Sequence, residues 1–249
     1  MDALIAMQGI CKHYTLGGQT VRALDGVNFT VRDGEMVAIL GPSGSGKSTL
    51  MNILGCLDTP TAGTYRLAGQ AVEQMTEGEL SRVRGRTVGF VFQGFHLLPG
   101  LTARENVELP LVYRGIPEEE RRRLAQESLQ RVGLAARMDH RPGELSGGQQ
   151  QRAFLARALA QEAHILLLDE PFTGLDVPGI ESLATLLRAL AAEGRLIIAS
   201  HHDLSTAAQI FDRSLLLNRR AIAYGSTAEV LSESNLLTAF GERRLTSTP

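Results

Sequence analysis

The sequence has no tryptophan, two cysteines and only two lysines among its 249 residues. The cysteines, Cys11 and Cys56, are far apart and fit no metal-binding spacing, so we expect reduced structural thiols in a cytosolic protein. The lysines are Lys12 and Lys47, and arginine supplies the rest of the 25 basic residues. Lys47 therefore stands out as a position at which arginine does not replace lysine.

Strong net charge and long apolar runs are absent as well. A formal net charge of −2 gives no general attraction to nucleic acid or anionic lipid, so no nucleic-acid partner is expected. No apolar run approaches the roughly 20 residues that span a bilayer, and the first residues do not resemble a secretory signal. If the protein works at a membrane, we expect another chain to provide the membrane part.

Three short, continuous apolar runs are typical of strands buried on both faces of a parallel sheet. They are residues 36–40, 165–168 and 196–199. Helical patterns separate them, which predicts an α/β fold with a mainly parallel sheet. The stretch between residues 94 and 160 is mostly helical in pattern and is interpreted as an insertion.

A glycine-rich segment directly follows the first of these predicted strands and precedes a helical pattern. It matches the phosphate-loop pattern in full and reads Gly41-Pro42-Ser43-Gly44-Ser45-Gly46-Lys47-Ser48. Glycines let successive backbone N–H groups point at phosphates, and the helix N-terminus adds the positive end of its dipole. In such a loop, Lys47 contacts the β- and γ-phosphates and the Ser48 hydroxyl binds Mg²⁺.

Polar residues follow the other two predicted buried strands, where ligands bind in open α/β sheets. Asp169 is expected to hold Mg²⁺, and Glu170 is the natural general base for an attacking water. His201 and His202, taken alone, are more typical of structural histidines than of catalytic or metal-binding ones. Gln93 ends another predicted strand, and a glutamine at a strand end does not by itself indicate a function.

A second glycine-rich segment opens a helical pattern about a hundred residues after the first. It reads Leu145-Ser146-Gly147-Gly148-Gln149. Taken in order, these motifs resemble the nucleotide-binding subunit of an ABC (ATP-binding cassette) transporter over nearly the whole chain. The second segment resembles the signature of that family, which ordinary phosphate-loop enzymes lack.

The resemblance implies a fold and its division along the chain. The fold is α/β, a P-loop NTPase with a RecA-like parallel-sheet core, an antiparallel β edge subdomain and an inserted α-helical subdomain. Residues 1–249 would form a single ABC ATPase domain. Its nucleotide-binding core would comprise residues 1–93 and 161–225, its helical signature subdomain residues 94–160, and its C-terminal tail residues 226–249.

The resemblance also implies ATP and Mg²⁺ as ligands and gives roles to individual residues. Phosphate contacts are expected from the loop that runs from Gly41 to Thr49. Mg²⁺ ligands are expected at Ser48, Gln93 and Asp169, and Gln93 would also form the hinge to the helical subdomain. Glu170 matches the catalytic glutamate.

Three further roles follow from the same resemblance. Tyr14 matches the aromatic residue that stacks on adenine. Asp176 matches the aspartate that communicates across the dimer. A histidine before Asp203 matches the γ-phosphate sensor, and direct adjacency favours His202 over His201.

The family's arrangement explains why one chain has two glycine-rich segments. Two subunits pack head to tail, and ATP lies between the phosphate loop of one and Ser146, Gly147, Gly148 and Gln149 of the other. The expected partners are therefore a second copy of the chain and a membrane permease. The expected location is the cytoplasmic face of the inner (plasma) membrane, peripheral through the permease, and residues 94–101 are expected near the groove that receives a permease helix.

The two halves of the chain resemble different subfamilies. Residues 51–60 and 88–113 resemble the macrolide-exporter and lipoprotein-releasing group, whereas residues 172–176, 200–204 and 211–225 are more similar to manganese and zinc importer subunits. Because permease-facing residues should lie mainly in the first half, the export group is preferred. The alternatives are a metal-importer ATPase, an ATPase that acts on ribosomes or DNA, and a regulator in a cell-division or signalling complex.

Overall fold

The structure is a computed structural model, and it describes residues 3–91 and 97–241. Ten strands in this part of the chain form two sheets. In chain order they are β1 (Ile5–Leu16), β2 (Gln19–Val31), β3 (Met36–Leu40), β4 (Ala62–Leu67), β5 (Gln70–Ala71), β6 (Val88–Val91), β7 (Ile165–Asp169), β8 (Leu196–Ser200), β9 (Arg213–Asn218) and β10 (Arg220–Ser226).

The larger sheet has six strands in the order β10-β9-β3-β8-β7-β6. All its neighbouring pairs are parallel except β10 with β9. Every residue of β3 and β8 is buried, as is all of β7 except its last residue, Asp169. Both faces of this sheet are covered by apolar clusters, which explains why these strands are continuous apolar runs.

The smaller sheet is antiparallel, with strand order β2-β1-β4-β5. It packs on one face of the larger sheet through a cluster that includes Phe29 and Tyr65. In β2 the buried residues Val27, Phe29 and Val31 alternate with exposed ones, as expected for a strand with one solvated face.

In the described ranges, seven α-helices lie between strands along the chain and two more follow the last strand. They are α1 (Lys47–Leu54), α2 (Glu77–Arg82), α3 (Ala103–Tyr113), α4 (Glu118–Arg131), α5 (Gly147–Ala160), α6 (Val177–Ala192), α7 (Leu204–Ile210), α8 (Thr227–Val230) and α9 (Glu233–Phe240). Helices α3, α4 and α5 pack together, and all three lie within residues 94–160, where the sequence pattern is mostly helical. None of the described helices is long and apolar enough to cross a bilayer.

Strand topology places three polar segments side by side. Strand β8 pairs with β3 on one side and with β7 on the other, and all three run in the same direction. The phosphate loop follows β3, Glu170 follows β7, and His201 follows β8. Segments that are more than a hundred residues apart in sequence therefore meet at one edge of the sheet.

Candidate functional site

The phosphate loop is a tight connection between β3 and α1. Gly41 and Gly46 have positive φ angles of 150° and 97°, which residues with side chains rarely adopt. A Cβ atom at Gly41 would collide with the carbonyl oxygen of Leu217, and one at Gly46 with the carbonyl oxygen of Ala23. The loop thus needs glycine for its conformation and for its close packing against neighbouring strands.

Lys47 lies at the first position of α1, and its ammonium group turns back onto the loop. Its Nζ donates hydrogen bonds to the carbonyl oxygens of Gly41 at 2.8 Å and Pro42 at 2.9 Å. Burial lowers the pKa of Lys47, and the charges of Glu170 and Asp169 oppose this shift. An anion in the loop would offer this partly buried cation stronger acceptors than two neutral carbonyls.

A cavity of about 680 Å³ opens over the phosphate loop. Its volume lies in the usual range for small-molecule sites. It brings the predicted loop together with the predicted Glu170 and His202. The lining residues are Val21, Arg22, Ala23, Gly41, Pro42, Ser43, Gly44, Ser45, Gly46, Lys47, Ser48, Thr49, Glu170, His202, Arg219 and Phe240.

Arg219 and Phe240 are lining residues that the sequence did not point to. Arg219 lies in the turn between β9 and β10, where its backbone N–H donates to the carbonyl oxygen of Ser45 at 2.7 Å. Phe240 is the last residue of α9. Nothing in the local sequence at either position indicates a binding site, because only the tertiary fold brings the two elements to the loop.

Glu170 lines the cavity together with the phosphate loop, whereas Asp169, the last residue of β7, does not line it. Asp169 Oδ1 accepts a hydrogen bond from the Ser200 hydroxyl at 2.5 Å, and Glu170 N–H donates to the same hydroxyl at 2.9 Å. Glu170 has a φ of 48°, a left-handed conformation that is uncommon for a residue with a side chain. The Thr173 hydroxyl donates to Glu170 Oε2 at 3.3 Å.

The oxygen groups between α1 and β7 fit a magnesium ion. Ser48 and Asp169 line one small cavity of about 30 Å³ between the phosphate loop and β7. Mg²⁺ prefers oxygen ligands, and it takes few from a protein when substrate phosphates and water supply the others. In the described ranges no group of three or more acidic, histidine or cysteine side chains is placed to hold a metal ion.

The two adjacent histidines lie in different environments. His201 is buried, with 3% of its surface exposed, and its ring packs edge-on against Phe172. Burial and the neighbouring His202 lower the pKa of His201, which favours the neutral ring. The His202 side chain is 57% exposed, lines the cavity, and has Nδ1 at 3.5 Å from Glu170 Oε2. Only His202 of the two is placed to reach a ligand in this cavity.

This difference gives a paired prediction. If His202 is the γ-phosphate sensor that the family resemblance implies, His202→Ala is expected to lower the rate of ATP hydrolysis about tenfold, because it would remove one polar contact to the reacting phosphate. His201→Ala is the matched variant and is expected to lower the melting temperature while changing turnover far less, because it removes buried contacts. Phosphate release and thermal unfolding are measured on both. A turnover loss confined to His201→Ala would reverse the assignment.

The signature segment opens helix α5 and lies outside the cavity of its own chain. Ser146 caps this helix: its hydroxyl accepts from Gln149 N–H at 3.3 Å, and its N–H donates to Gln149 Oε1 at 3.0 Å. Gly147 is exposed, and a Cβ atom there would meet nothing within 4 Å, whereas one at Gly148 would lie 3.2 Å from Leu175 Cδ2. The segment therefore presents a capped helix N-terminus at the surface.

The remaining predicted site residues do not line the cavity over the phosphate loop or lie outside the described ranges. Asp176 caps α6, where its Oδ1 accepts from Gly179 N–H at 3.0 Å. The Tyr14 hydroxyl donates to Asp58 Oδ2 at 2.9 Å, and Tyr14 is not among the residues that line the cavity. Gln93 lies outside the described residues, so its predicted hinge and metal roles stay predictions.

Comparison with known proteins gives consistent matches. Residues 24–173 match the ABC transporter family. An uncharacterized ABC transporter ATP-binding protein of Thermotoga maritima is 46% identical over 234 residues, covering 91% of this chain and all of the relative. The macrolide export ATP-binding/permease protein MacB 1/2 of Paracoccus denitrificans is 45% identical over 223 residues. That match covers 87% of this chain but only 33% of the relative's length.

A solved structure agrees with the fold. The dimeric, post-hydrolysis ATP-binding cassette MJ0796, bound to ADP and Pi, superposes with a TM-score of 0.82 at 39% identity. The match covers 90% of this chain and 98% of the cassette. The predicted fold class and ATPase activity are thereby confirmed, and the similar proteins support dimerisation and a permease partner in general terms. By sequence, fold and site, this chain belongs to the ABC transporter family, as an ATP-binding subunit that hydrolyses ATP.

Proposed function

We propose that two copies of this chain enclose ATP and use its hydrolysis to drive a separate membrane permease of the macrolide-export or lipoprotein-release type. One observation carries the ATP-binding part of the proposal. The phosphate loop, Glu170 and His202 line one cavity, while the signature segment of the same chain lies outside it. A site completed by a second copy accounts for both findings.

The phosphate loop would hold the triphosphate. Backbone N–H groups of the loop from Gly41 to Thr49, in which only Pro42 lacks one, would face the phosphates, and the Lys47 ammonium would exchange its two loop carbonyls for phosphate oxygens. Tyr14 would stack on adenine from the β1 side. The Tyr14 hydroxyl is bonded to Asp58 at the edge of the ring, so the base would stack on a ring face.

Glu170 and His202, which line the same cavity, would act in the hydrolysis step. Glu170 accepts the proton of the attacking water as that water bonds to the γ-phosphorus, and the bond to the ADP oxygen breaks. His202 donates a hydrogen bond to a γ-phosphate oxygen. Ser48, Asp169 and Gln93 would hold Mg²⁺, which when bound neutralises developing phosphate charge.

The signature segment would complete the site of the partner copy. The exposed N-terminus of α5 would offer the backbone N–H groups of Gly147 and Gly148 to the γ-phosphate of ATP bound in the other subunit, while Ser146 and Gln149 hold the helix end through their mutual hydrogen bonds. A two-fold dimer forms two such sites at once. Asp176, at the N-terminus of α6, would couple the two ATP sites of the dimer. Since γ-phosphate contacts exist only in the closed dimer, ATP favours closure and its hydrolysis favours opening.

A surface groove supports docking of a permease. It lies between β6, α3 and the end of α5, has a volume of about 240 Å³, and includes the exposed side chains of Leu57 and Tyr113, the latter 85% exposed. Relatives named MacB combine an ATP-binding part with a permease in one protein, and this chain spans about a third of their length. These relatives favour the export type. Binding there would place the chain at the cytoplasmic face of the inner membrane.

The permease proposal is tested by copurification. Tagged Glu170→Gln protein is isolated with ATP from detergent-solubilised membranes of its own host, and copurifying proteins are identified by mass spectrometry. We expect a permease with a large extracytoplasmic domain. A compact multi-span permease with an external metal-binding protein would support the importer alternative. Tight binding to ribosomes or DNA at physiological salt, without a membrane protein, would contradict transport.

A further inference from the structure

We propose that Ser200 is a positioning residue that sets the geometry of both acidic residues of the site. Its hydroxyl lies between the two, donating to Asp169 Oδ1 at 2.5 Å and accepting from Glu170 N–H at 2.9 Å. The serine is buried, with 1% of its surface exposed, so water cannot take over these hydrogen bonds. This inference rests on the roles proposed above for Asp169 and Glu170.

Strand register explains why a single hydroxyl reaches both residues. Ser200 is the last residue of β8 and is paired directly with Asp169 on β7 and with Ile39 on β3. It therefore lies between the strand that leads into the phosphate loop and the strand that leads to the acids. A hydroxyl here forms a fixed link between neighbouring strands at the edge where the ligand would bind.

The two hydrogen bonds have separate consequences. The hydroxyl proton occupies Oδ1 of Asp169, and among the described residues Oδ2 accepts no hydrogen bond, so one carboxylate oxygen remains for a metal ligand shell. The bond from Glu170 N–H holds a residue whose φ of 48° is otherwise disfavoured. Removing the Ser200 hydroxyl should therefore make the positions of both Asp169 and Glu170 less fixed.

The test compares Ser200→Ala with Ser214→Ala. Ser214 is a fully buried serine of the same sheet whose hydroxyl bonds to that of Thr227 at 2.8 Å, away from the cavity. For Ser200→Ala we expect kcat to fall about tenfold and the Mg²⁺ concentration for half-maximal activity to rise about tenfold. ATP affinity measured in EDTA should not change. Ser200→Cys keeps the volume with a weaker donor and should shift both quantities in the same direction.

The outcomes separate this inference from the proposed function. A Mg²⁺ requirement and kcat that stay within twofold of wild type in both Ser200 variants would overturn the positioning role, as would equal changes in Ser214→Ala. Asp169→Asn and Glu170→Gln are measured in parallel. If these two also hydrolyse ATP normally, the proposed function fails. If they are inactive while the Ser200 variants are normal, only the positioning role fails.

Discussion

Glu170→Gln is expected to lower kcat about 1,000-fold while ATP still binds. A general base contributes roughly 10²- to 10⁴-fold to such a reaction, and an amide cannot accept the proton of the attacking water. Glutamine has nearly the same shape, and its carbonyl oxygen can still accept from the Thr173 hydroxyl. With hydrolysis blocked, ATP stays in the closed site and the protein should accumulate as a dimer. Phosphate release and light scattering measure the two effects.

The chain offers a matched control for this substitution. Glu162 is another glutamate with a left-handed backbone, at φ 59°, but it is exposed and lies outside the cavity. Glu162→Gln should hydrolyse ATP at the wild-type rate. If Glu170→Gln did so too, the assignment of the base would be wrong.

Lys47→Ala is expected to weaken ATP binding at least 100-fold. Two charge-assisted hydrogen bonds to phosphate are together worth about 3 kcal/mol, which corresponds to this factor. The ammonium is partly buried and already bound to two loop carbonyls, so little conformational freedom is lost when ATP binds. Fluorescence titration with an ATP analogue measures the dissociation constant, and thermal unfolding checks that the loop still folds.

Lys47→Arg tests why lysine persists at this position in a chain whose basic residues, apart from Lys12 and Lys47, are all arginine. A planar guanidinium cannot occupy the position of a compact ammonium between two carbonyls, so we expect a loss close to that of alanine. Arg122→Ala, which removes an exposed ion pair with Glu118 on α4, is the surface control and should bind ATP normally. Binding by Lys47→Ala within threefold of wild type would contradict the proposed loop chemistry.

Features encoded by contiguous residues were predictable from the sequence. Strands β3, β7 and β8 are continuous apolar runs because both faces of the central sheet are covered. The phosphate loop and the signature segment are contiguous as well. Strand β1 was not predicted, because its pairing register shifts around Gly9 and the shift disrupts the alternation of side chains that marks a strand.

Features made by chain topology were not predictable. Ser200 belongs to the segment 200–204 but was not predicted as a site residue, because its role depends on its pairing with Asp169 on the neighbouring strand. Arg219 and Phe240 reach the cavity only through the β9–β10 turn and the end of α9. The domain boundaries and the residue roles inferred from the family resemblance, including that of Gln93, stay predictions.

The most direct measurement of the central claim, a site shared between two copies, uses Gly147. A Cβ atom there meets no atom within 4 Å, and aspartate suits the first turn of a helix, so we expect Gly147→Asp to fold. In the Glu170→Gln background, light scattering with ATP should show a monomer for Gly147→Asp and a dimer for the control Gly78→Asp in the first turn of α2. At protein concentrations low enough that both variants are monomers, they should bind ATP with the same affinity. An ATP-dependent dimer of Gly147→Asp as stable as the control would contradict the shared site.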